Sequence, residues 1–558
     1  MTMSATATEK NVQPPANIAR HAGIVGLAVM ASRVLGLVRD QVFAALFGAG
    51  LQYDAFLTAF RIPNLLRDLF AEGALSAAFV TIFSQTLEAK GKDEAARLAN
   101  RVATAMVVII AAISILAWFY AGSIVQWLAP GFFDVPGKGD LTIHLTRVMI
   151  PFLLLVALAA QAMGVLNANN RFGIPSLASA FFNIGSIAGG LLLGFSLAQP
   201  LGISAIEGMA YGTLVGGFLQ FAVQWPSLRR LGYRYRFSFE LSDPGLRQIA
   251  ALMGPAVIGV AAVQINVFVN TNFASAIVDS TTGQVVNGPV SWLNYAFRFM
   301  QFPIGVFGVA IATAMLPAIS RSAARENIVE FRQTLAHSLV LTFLLCVPSA
   351  IGLIVLGRPI VALIFEHGKF TSFDTVQTAD ALAAYSIGLA GYAAVKVLSP
   401  AFYALKDART PMLVSLGSIL VNYVMNSMLV HRYGHVGLAF STSTVALVNF
   451  ALLMFFMRGK LGRIEGHHLS RTFGKICLAS FVMAIVVWLV NWQVGVQLPL
   501  KGTLLRLVQV TSAIAAGALS FYFLCRAFGI KEMGEAVNAL AGKVTGPLQR
   551  VLSKTKAG

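Results

Sequence analysis

From residue 22 onward, long apolar stretches alternate with short polar connections. A membrane-spanning helix needs about 20 predominantly apolar residues. Fourteen windows meet that requirement, at roughly 22–48, 53–84, 98–128, 141–168, 174–197, 204–228, 246–278, 290–320, 333–356, 375–404, 410–431, 436–458, 472–493 and 503–527. The pattern predicts an all-α integral membrane protein of fourteen transmembrane helices. Spans 1, 2, 7, 8 and 10 are long or carry polar residues, so tilted, bent or cavity-lining helices are expected there.

The connections assign orientation. Loops after even-numbered spans are basic: Lys90, Lys92 and Arg97 follow span 2, and Arg229, Arg230, Arg234 and Arg236 follow span 6. Arg321 and Arg325 follow span 8; Arg458, Lys460, Arg463 and Arg471 follow span 12. The opposite set is poor in cations, and Val278–Gly288 has none. Positive charge marks the cytoplasmic side, which places both termini in the cytoplasm and requires an even number of spans. The polar residues 1–21 read as a cytoplasmic tail rather than a cleaved signal peptide.

Two segments repeat. Ala59-Phe60-Arg61-Ile62-Pro63 onward to Ile82 resembles Ala296-Phe297-Arg298-Phe299-Met300 onward to Ile319, at an offset of 237 residues. ANNRFGIP (Ala168–Pro175) resembles ALKDARTP (Ala404–Pro411) at an offset of 236. Spans 1–6 therefore correspond to spans 7–12. An even number of spans per unit makes the repeat parallel, the build of transporters that rock one lobe against the other. The expected organisation is a tail (1–21), an N-lobe (22–236), a C-lobe (237–464), a helix pair 13–14 (465–530) and a cytoplasmic C-terminal tail (531–558).

Composition agrees. Only 11% of the 558 residues are charged, against about 25% in soluble domains. The net charge of +18 sits in short runs between apolar segments, which argues for membrane orientation and against nucleic-acid binding. Cys346, Cys477 and Cys525 show neither metal-ligand nor disulfide spacing. No phosphate-binding loop, His-Glu-x-x-His or nucleophile elbow is present, so the expectation is a transporter and not an enzyme.

The remaining chemistry is charge within the spans. Span 1 carries Ser32, Arg33, Arg39 and Asp40; span 2 carries Asp54, Arg61, Arg67, Asp68 and Glu72; span 8 carries Arg298 and Gln301; span 10 carries Lys396. Arg33 and Arg39 lie about 120° apart around a helix, so both can face a wide cavity but not one narrow stripe. Asp54, Arg61, Asp68 and Glu72 follow the spacing of one helix face. A charge at the bilayer centre costs about 2.5–3.5 kcal/mol on insertion scales, and arginine cannot be neutralised by burial. Such arginines must meet water, acids or an anionic ligand, and their planar forks suit phosphate. Asp40, Asp54 and Glu72 are expected to hold arginines in place. Arg61 and Asp68 also read as snorkelling or structurally paired charges. Gln264, Asn266 and Asn270 in span 7, with Asn422 and Asn426 in span 11, form a polar set without a carboxylate. Interhelical hydrogen bonding reads better there than a cation site, and no metal site is assigned.

SRVLGLVRDQVFAALFGAG (Ser32–Gly50) and YDAFLTAFRIPNLLRDLFAEGALSAAFV (Tyr53–Val80) resemble the opening of the MurJ/MviN family, the lipid II flippases of peptidoglycan synthesis. That family lies within the multidrug/oligosaccharidyl-lipid/polysaccharide exporter superfamily. The likeness continues through GPAVIGV (Gly254–Val260), SWLNYAFRFMQFPIGVFGVAIATAMLP (Ser291–Pro317) and VKVLSPAFYALKDARTP (Val395–Pro411). The resemblance implies two six-helix lobes plus a C-terminal pair forming a groove for the lipid tail. It implies that Arg33, Arg39, Arg67 and Arg298 line a central cavity and bind the diphosphate of lipid II. Ser32, Asp40, Asp54, Arg61, Glu72, Gln301 and Lys396 are expected to support or gate. It further implies a multi-pass protein of the bacterial inner membrane, with lipid II, membrane lipids and cell-wall synthesis proteins as partners. No cofactor is implied, and Na+, H+ or the membrane potential is left as the driving force. The chain departs from the family where Gln301 and Phe297 stand in place of acidic residues, and where span 7 has Asn and Gln but no Asp. A polysaccharide-unit flippase shares the diphosphate argument. A drug or cation antiporter would want cavity carboxylates with few arginines, and a membrane scaffold has no use for the motif arginines.

Overall fold

The computed structural model describes residues 15–68, 74–240, 242–279, 281–462, 466–497 and 502–534. In chain order the helices are α1 (Pro15–Phe47), α2 (Leu51–Arg67), α3 (Ala74–Phe119), α4 (Ala121–Leu128), α5 (Lys138–Met149), α6 (Phe152–Ala168) and α7 (Gly173–Leu191). Then come α8 (Ala198–Leu201), α9 (Ala205–Ala222), α10 (Trp225–Arg230), α11 (Pro244–Ser275), α12 (Pro289–Pro303) and α13 (Val309–Ala324). The last six are α14 (Ile328–Phe365), α15 (Ser372–Ile387), α16 (Leu389–Ala404), α17 (Arg409–Leu461), α18 (Gly466–Gln497) and α19 (Gly502–Ala527). Among the described residues eight helices are long and apolar enough to cross a membrane, and the bent pair α15–α16 (44°) raises this to nine if counted as one span.

Two of these helices are longer than a single crossing needs. At about 1.5 Å per residue, α17 with its 53 residues would run about 80 Å, against a hydrocarbon core of about 30 Å. It is broken at Gly434, whose φ of 54° and ψ of −134° are not helical. The 46 residues of α3 are broken likewise at Gly91. Each is two helices joined at a glycine.

The chain divides into two compact units. Unit 1 comprises Met1–Val42, Ala55–Val125 and Gly139–Ala261; unit 2 comprises Phe43–Asp54, Gln126–Lys138 and Ala262–Gly558. The division falls inside α1, α2, α4, α5 and α11.

In unit 1 an apolar core centred on Phe79, Phe83, Leu98, Leu153 and Val165 joins α3 to α6. Helices α7 and α9 meet along a glycine seam. A Cβ built on Gly185 would stand 2.8 Å from Gly216 Cα, and one on Gly189 2.9 Å from Val215 Cβ. With lipid on the outside there is no hydrophobic drive to bring helices together, so close backbone approach supplies the contact energy. Gly185→Ala is expected to cost about 1–3 kcal/mol by overpacking, read as a lower Tm of the detergent-solubilised protein; an unchanged Tm would show that the seam tolerates a methyl group. The extended segment before α11 is strapped along α3. Ser238 N donates to Thr104 Oγ1 (2.9 Å) and Arg236 N to Asn100 Oδ1 (3.2 Å). Arg101 reaches Glu94 (3.3 Å), Glu240 (2.6 Å) and Asp243 (2.7 Å).

In unit 2, α14 packs against α18 and α19 over Phe331, Leu339, Phe343, Ile476 and Phe521. Arg506 of α19 pairs with Glu366 at 2.6 Å, and Glu366 accepts a second hydrogen bond from Thr375 Oγ1. The internal repeat has a backbone signature. Asn170 and Lys406, which occupy one position of ANNRFGIP and ALKDARTP, have φ of 57° and 58°. Left-handed backbone is uncommon in residues other than glycine, so the shared conformation argues that both segments make the same turn.

Candidate functional site

The expected site residues divide between the two units. In unit 1, Arg33 of α1 is exposed, with no ion pair among the described residues. Two turns on, Arg39 is partly buried: Nη2 donates to Asp40 Oδ1 at 3.2 Å, and the guanidinium lies 5.7 Å from the Phe182 ring centroid. Asp40 itself is only 2% exposed. Asn183 of α7 donates to the carbonyl of Ser32 at 3.2 Å, fixing α7 against this stretch of α1. On α2, Arg61 is partly buried, and Arg67 donates to Asp68 Oδ1 through Nε (3.2 Å) and Nη2 (3.0 Å). In both Arg39–Asp40 and Arg67–Asp68 the acid is the next residue in sequence. Each acid orients the arginine that precedes it. Glu72 lies outside the described residues.

In unit 2, Arg298 is partly buried on α12, whereas Gln301 of α12 and Lys396 of α16 are exposed. The prominent charge here is Asp54, fully buried with Lys138 at 2.9 Å, also fully buried. Asp54 Oδ1 accepts from Ser291 N (2.9 Å) and Oγ (2.6 Å). Its Oδ2 accepts from Gly288 N (2.7 Å) and Lys138 Nζ (2.9 Å). An ionised carboxylate has about four acceptor positions, and all are used. Lys138 also donates to Asn287 Oδ1 at 2.8 Å and stands 4.0 Å from the Phe132 ring centroid.

Local sequence builds this arrangement. Gly288 caps α12 with φ of 116°, and a Cβ there would meet the Trp292 ring at 2.6 Å, so only glycine can aim that N–H at Asp54. Trp292 Nε1 donates to Asp374 Oδ1 at 2.9 Å, and its ring lies 4.9 Å from that of His435, whose Nε2 is 3.0 Å from the Gln377 carbonyl. Tyr53 and Tyr295 stack at 5.1 Å. After Pro303, residues 304–308 form a π-turn that carries α12 into α13.

This departs from the sequence expectation in one respect. Asp54 was expected to hold an arginine on a face shared with Arg61 and Asp68. It opens the first turn of α2 in unit 2 and holds Lys138, while Arg61 and Asp68 belong to unit 1. Lys138, Asn287 and the Trp292–Asp374 bond were missed. Lys138 sits between Gly137 and Gly139 and reads as loop. One signal was available: Asp54 and Ser291 are 237 residues apart, the offset of the repeat, so the two bonded residues occupy equivalent positions.

The span 7 and span 11 amides meet in unit 2. Asn270 Oδ1 accepts from Asn422 (3.1 Å) and Asn426 (2.8 Å), Asn270 Nδ2 donates to Thr442, and Asn266 Nδ2 donates to Ser418. Asn266 Oδ1 and Asn426 Oδ1 are buried without a hydrogen-bond partner among the described residues. No group of three or more metal-ligating side chains occurs among the described residues.

Comparison with known proteins gives a consistent result. A relative from Burkholderia cenocepacia, described as "Lipid II flippase MurJ", is 36% identical over 431 residues, covering 76% of this chain and 81% of that protein. One from Vibrio cholerae, described as "Probable lipid II flippase MurJ", is 34% identical over 522 residues, covering 91% and 95%. Among solved structures, "Lipid II flippase MurJ, inward closed conformation" superposes with a TM-score of 0.74 at 29% identity, covering 90% of this chain and 99% of that one. An inward-facing multidrug resistance MATE family transporter of the MOP superfamily has a TM-score of 0.65 at 15% identity, a likeness of fold alone. Residues 43–503 match the family described as Lipid II flippase MurJ, and this chain belongs to that family.

Proposed function

We propose that this chain moves lipid II, the polyprenyl-diphosphate-linked peptidoglycan precursor, from the inner to the outer leaflet of the bacterial inner membrane by alternating access. The observation that carries this reading is the family match over residues 43–503. The protein is a transporter, not an enzyme. Lipid II has an anionic diphosphate, a large sugar-peptide head and a long apolar tail. The arginines for its diphosphate are Arg33, Arg39, Arg67 and Arg298. Ser32, Asp40, Arg61, Glu72, Gln301 and Lys396 position those arginines or gate the path, while Asp54 holds Lys138. We count α3 and α17 as two crossings each, and α2 with the first part of α3, α5 with α6, α12 with α13 and α15 with α16 as one each, which makes fourteen in all. The shared turn at Asn170 and Lys406 supports two six-helix lobes, with α18 and α19 as the added pair bearing the lipid tail. Both termini are cytoplasmic on the charge bias of the loops.

Expression of this chain in cells depleted of their own lipid II flippase should restore growth and bring lipid II to the outer leaflet, where an externally added lipid II-degrading enzyme reaches it. Restored growth without lipid II exposure, or neither, would overturn the assignment. The driving force is a separate question. The asparagine cluster offers Na+ neutral oxygens only, and its two unpartnered carbonyl oxygens are groups that a buried water can satisfy. Replacing Na+ by K+ at constant membrane potential is therefore expected to leave the flipping rate within about twofold, because no carboxylate offsets the dehydration of the ion. A tenfold fall would make the cluster a sodium site.

A further inference from the structure

A feature of unit 2 plays no part in the transport reading. The end of α17 borders a groove of about 810 Å³, lined by Thr410, Phe450, Met454, Phe455, Arg458 and Lys460 among others. Its size is that of a small-ligand pocket, and its walls are apolar. Phe455 is 70% exposed and Phe456 43%, so in a membrane both face lipid rather than protein. Two cations stand where the apolar wall ends, in the last turn of α17.

The charges at this mouth can be added up. Lys460 Nζ pairs with Asp407 Oδ2 at 3.0 Å. Asp407 is kept ionised by the Thr410 hydroxyl (2.6 Å) and the Thr410 N–H (3.0 Å), which with Lys460 pull its carboxyl down to about 2. That pair is close to neutral. Arg458 is exposed and has no side-chain hydrogen bond or ion pair among the described residues. Of the two cations lining the mouth, Arg458 is thus the one without an acid partner among the described residues, beside Lys460 at the foot of an aromatic wall; the exposed Lys406 and Arg409 flank Asp407 and Thr410 and add positive charge at this end.

We propose that this groove binds one anionic phospholipid of the surrounding bilayer, with its phosphodiester on Arg458, assisted by Lys460, and an acyl chain along Phe450, Met454 and Phe455. A phosphodiester carries a single negative charge, which one guanidinium without an acid partner can neutralise. The basic connection after span 12 puts this end at the cytoplasmic face, where anionic lipids concentrate and basic pockets between transmembrane helices hold their headgroups. Arg458 and Lys460 also compensate the carbonyl end of α17. That role alone is indifferent to the headgroup of a neighbouring lipid, which makes the two separable.

The test is a native mass-spectrometry titration of the purified, delipidated full chain with phosphatidylglycerol and with phosphatidylcholine of the same acyl chains. Wild type should bind the first phosphatidylglycerol more tightly than phosphatidylcholine. Arg458→Ala and Arg458→Gln should each weaken phosphatidylglycerol about fivefold, the effect of one basic residue at an anionic lipid surface, and leave phosphatidylcholine unchanged. Phe455→Ala should weaken both lipids, and Arg97→Ala, an exposed arginine on α3, neither. Equal binding of the two lipids by wild type, or phosphatidylglycerol affinity kept within twofold in both Arg458 variants, would overturn the proposal. So would loss of undecaprenyl diphosphate binding in step with phosphatidylglycerol, which would make the groove part of the transport path. Binding is measured without transport, so failure here leaves the flippase reading standing.

Discussion

Lys138→Met should sharply destabilise the protein and abolish its ability to replace a missing flippase. Removing one partner of a buried ion pair typically costs about 3–5 kcal/mol, because the other charge stays buried and uncompensated. Here the survivor is Asp54, 0% exposed, left with the donors of Gly288 and Ser291 alone. The double variant Asp54→Leu/Lys138→Met discriminates further. Replacing a whole buried ion pair by apolar groups is often neutral, so a simple pair predicts full rescue. Asp54 is more than one half of a pair, since it also satisfies two backbone N–H groups and the Ser291 hydroxyl. Each donor left unmet costs about 1–3 kcal/mol. The double variant should therefore remain well below wild type in Tm. Wild-type stability for Lys138→Met would dismiss the cluster as a structural element, and complete rescue in the double variant would reduce it to an ordinary ion pair.

Arg33→Ala should do the reverse, leaving the fold intact while removing transport. Arg33 is exposed and makes no ion pair among the described residues, so its loss should change stability by no more than about 0.5 kcal/mol. A hydrogen bond to a charged group contributes about 1.5–3 kcal/mol, which corresponds to a roughly 10- to 150-fold fall in flipping if Arg33 holds the diphosphate in the rate-limiting state. Arg33→Lys should fall between, because the ammonium keeps the charge but not the bidentate fork. Arg39→Ala is the comparison. It also strips Asp40, 2% exposed, of its adjacent cation, so stability and transport should fall together. Normal growth and normal lipid II exposure in the Arg33→Ala strain would remove Arg33 from the binding set.

How much the sequence disclosed depended on the range of each interaction. Arg39–Asp40 and Arg67–Asp68 are neighbours in sequence, and their pairing can be read without a fold. The Asp54 cluster cannot. Lys138 lies 84 residues from Asp54 and Asn287 another 149 beyond it; between its flanking glycines Lys138 has every mark of a solvated loop. Only the repeat offset joining Asp54 to Ser291 crosses that distance. The two hydropathy windows at 410–431 and 436–458 were legible as separate spans because His431-Arg432-Tyr433-Gly434-His435 interrupts them, although the helix continues on both sides. The asparagine cluster was visible as a composition of amides but not as a network, since pairing Asn270 with Asn422 and Asn426 requires α11 and α17 to be in register.

The break at Gly434 has a consequence for biosynthesis. With one non-helical residue in 53, α17 has no polar segment long enough to be threaded through a translocation channel as a loop of its own. Each leg satisfies its backbone groups internally, as hydrocarbon demands, and the turn between them carries Arg432 with it. The two legs are thus suited to enter the bilayer as one hairpin, the second drawing the cationic turn across.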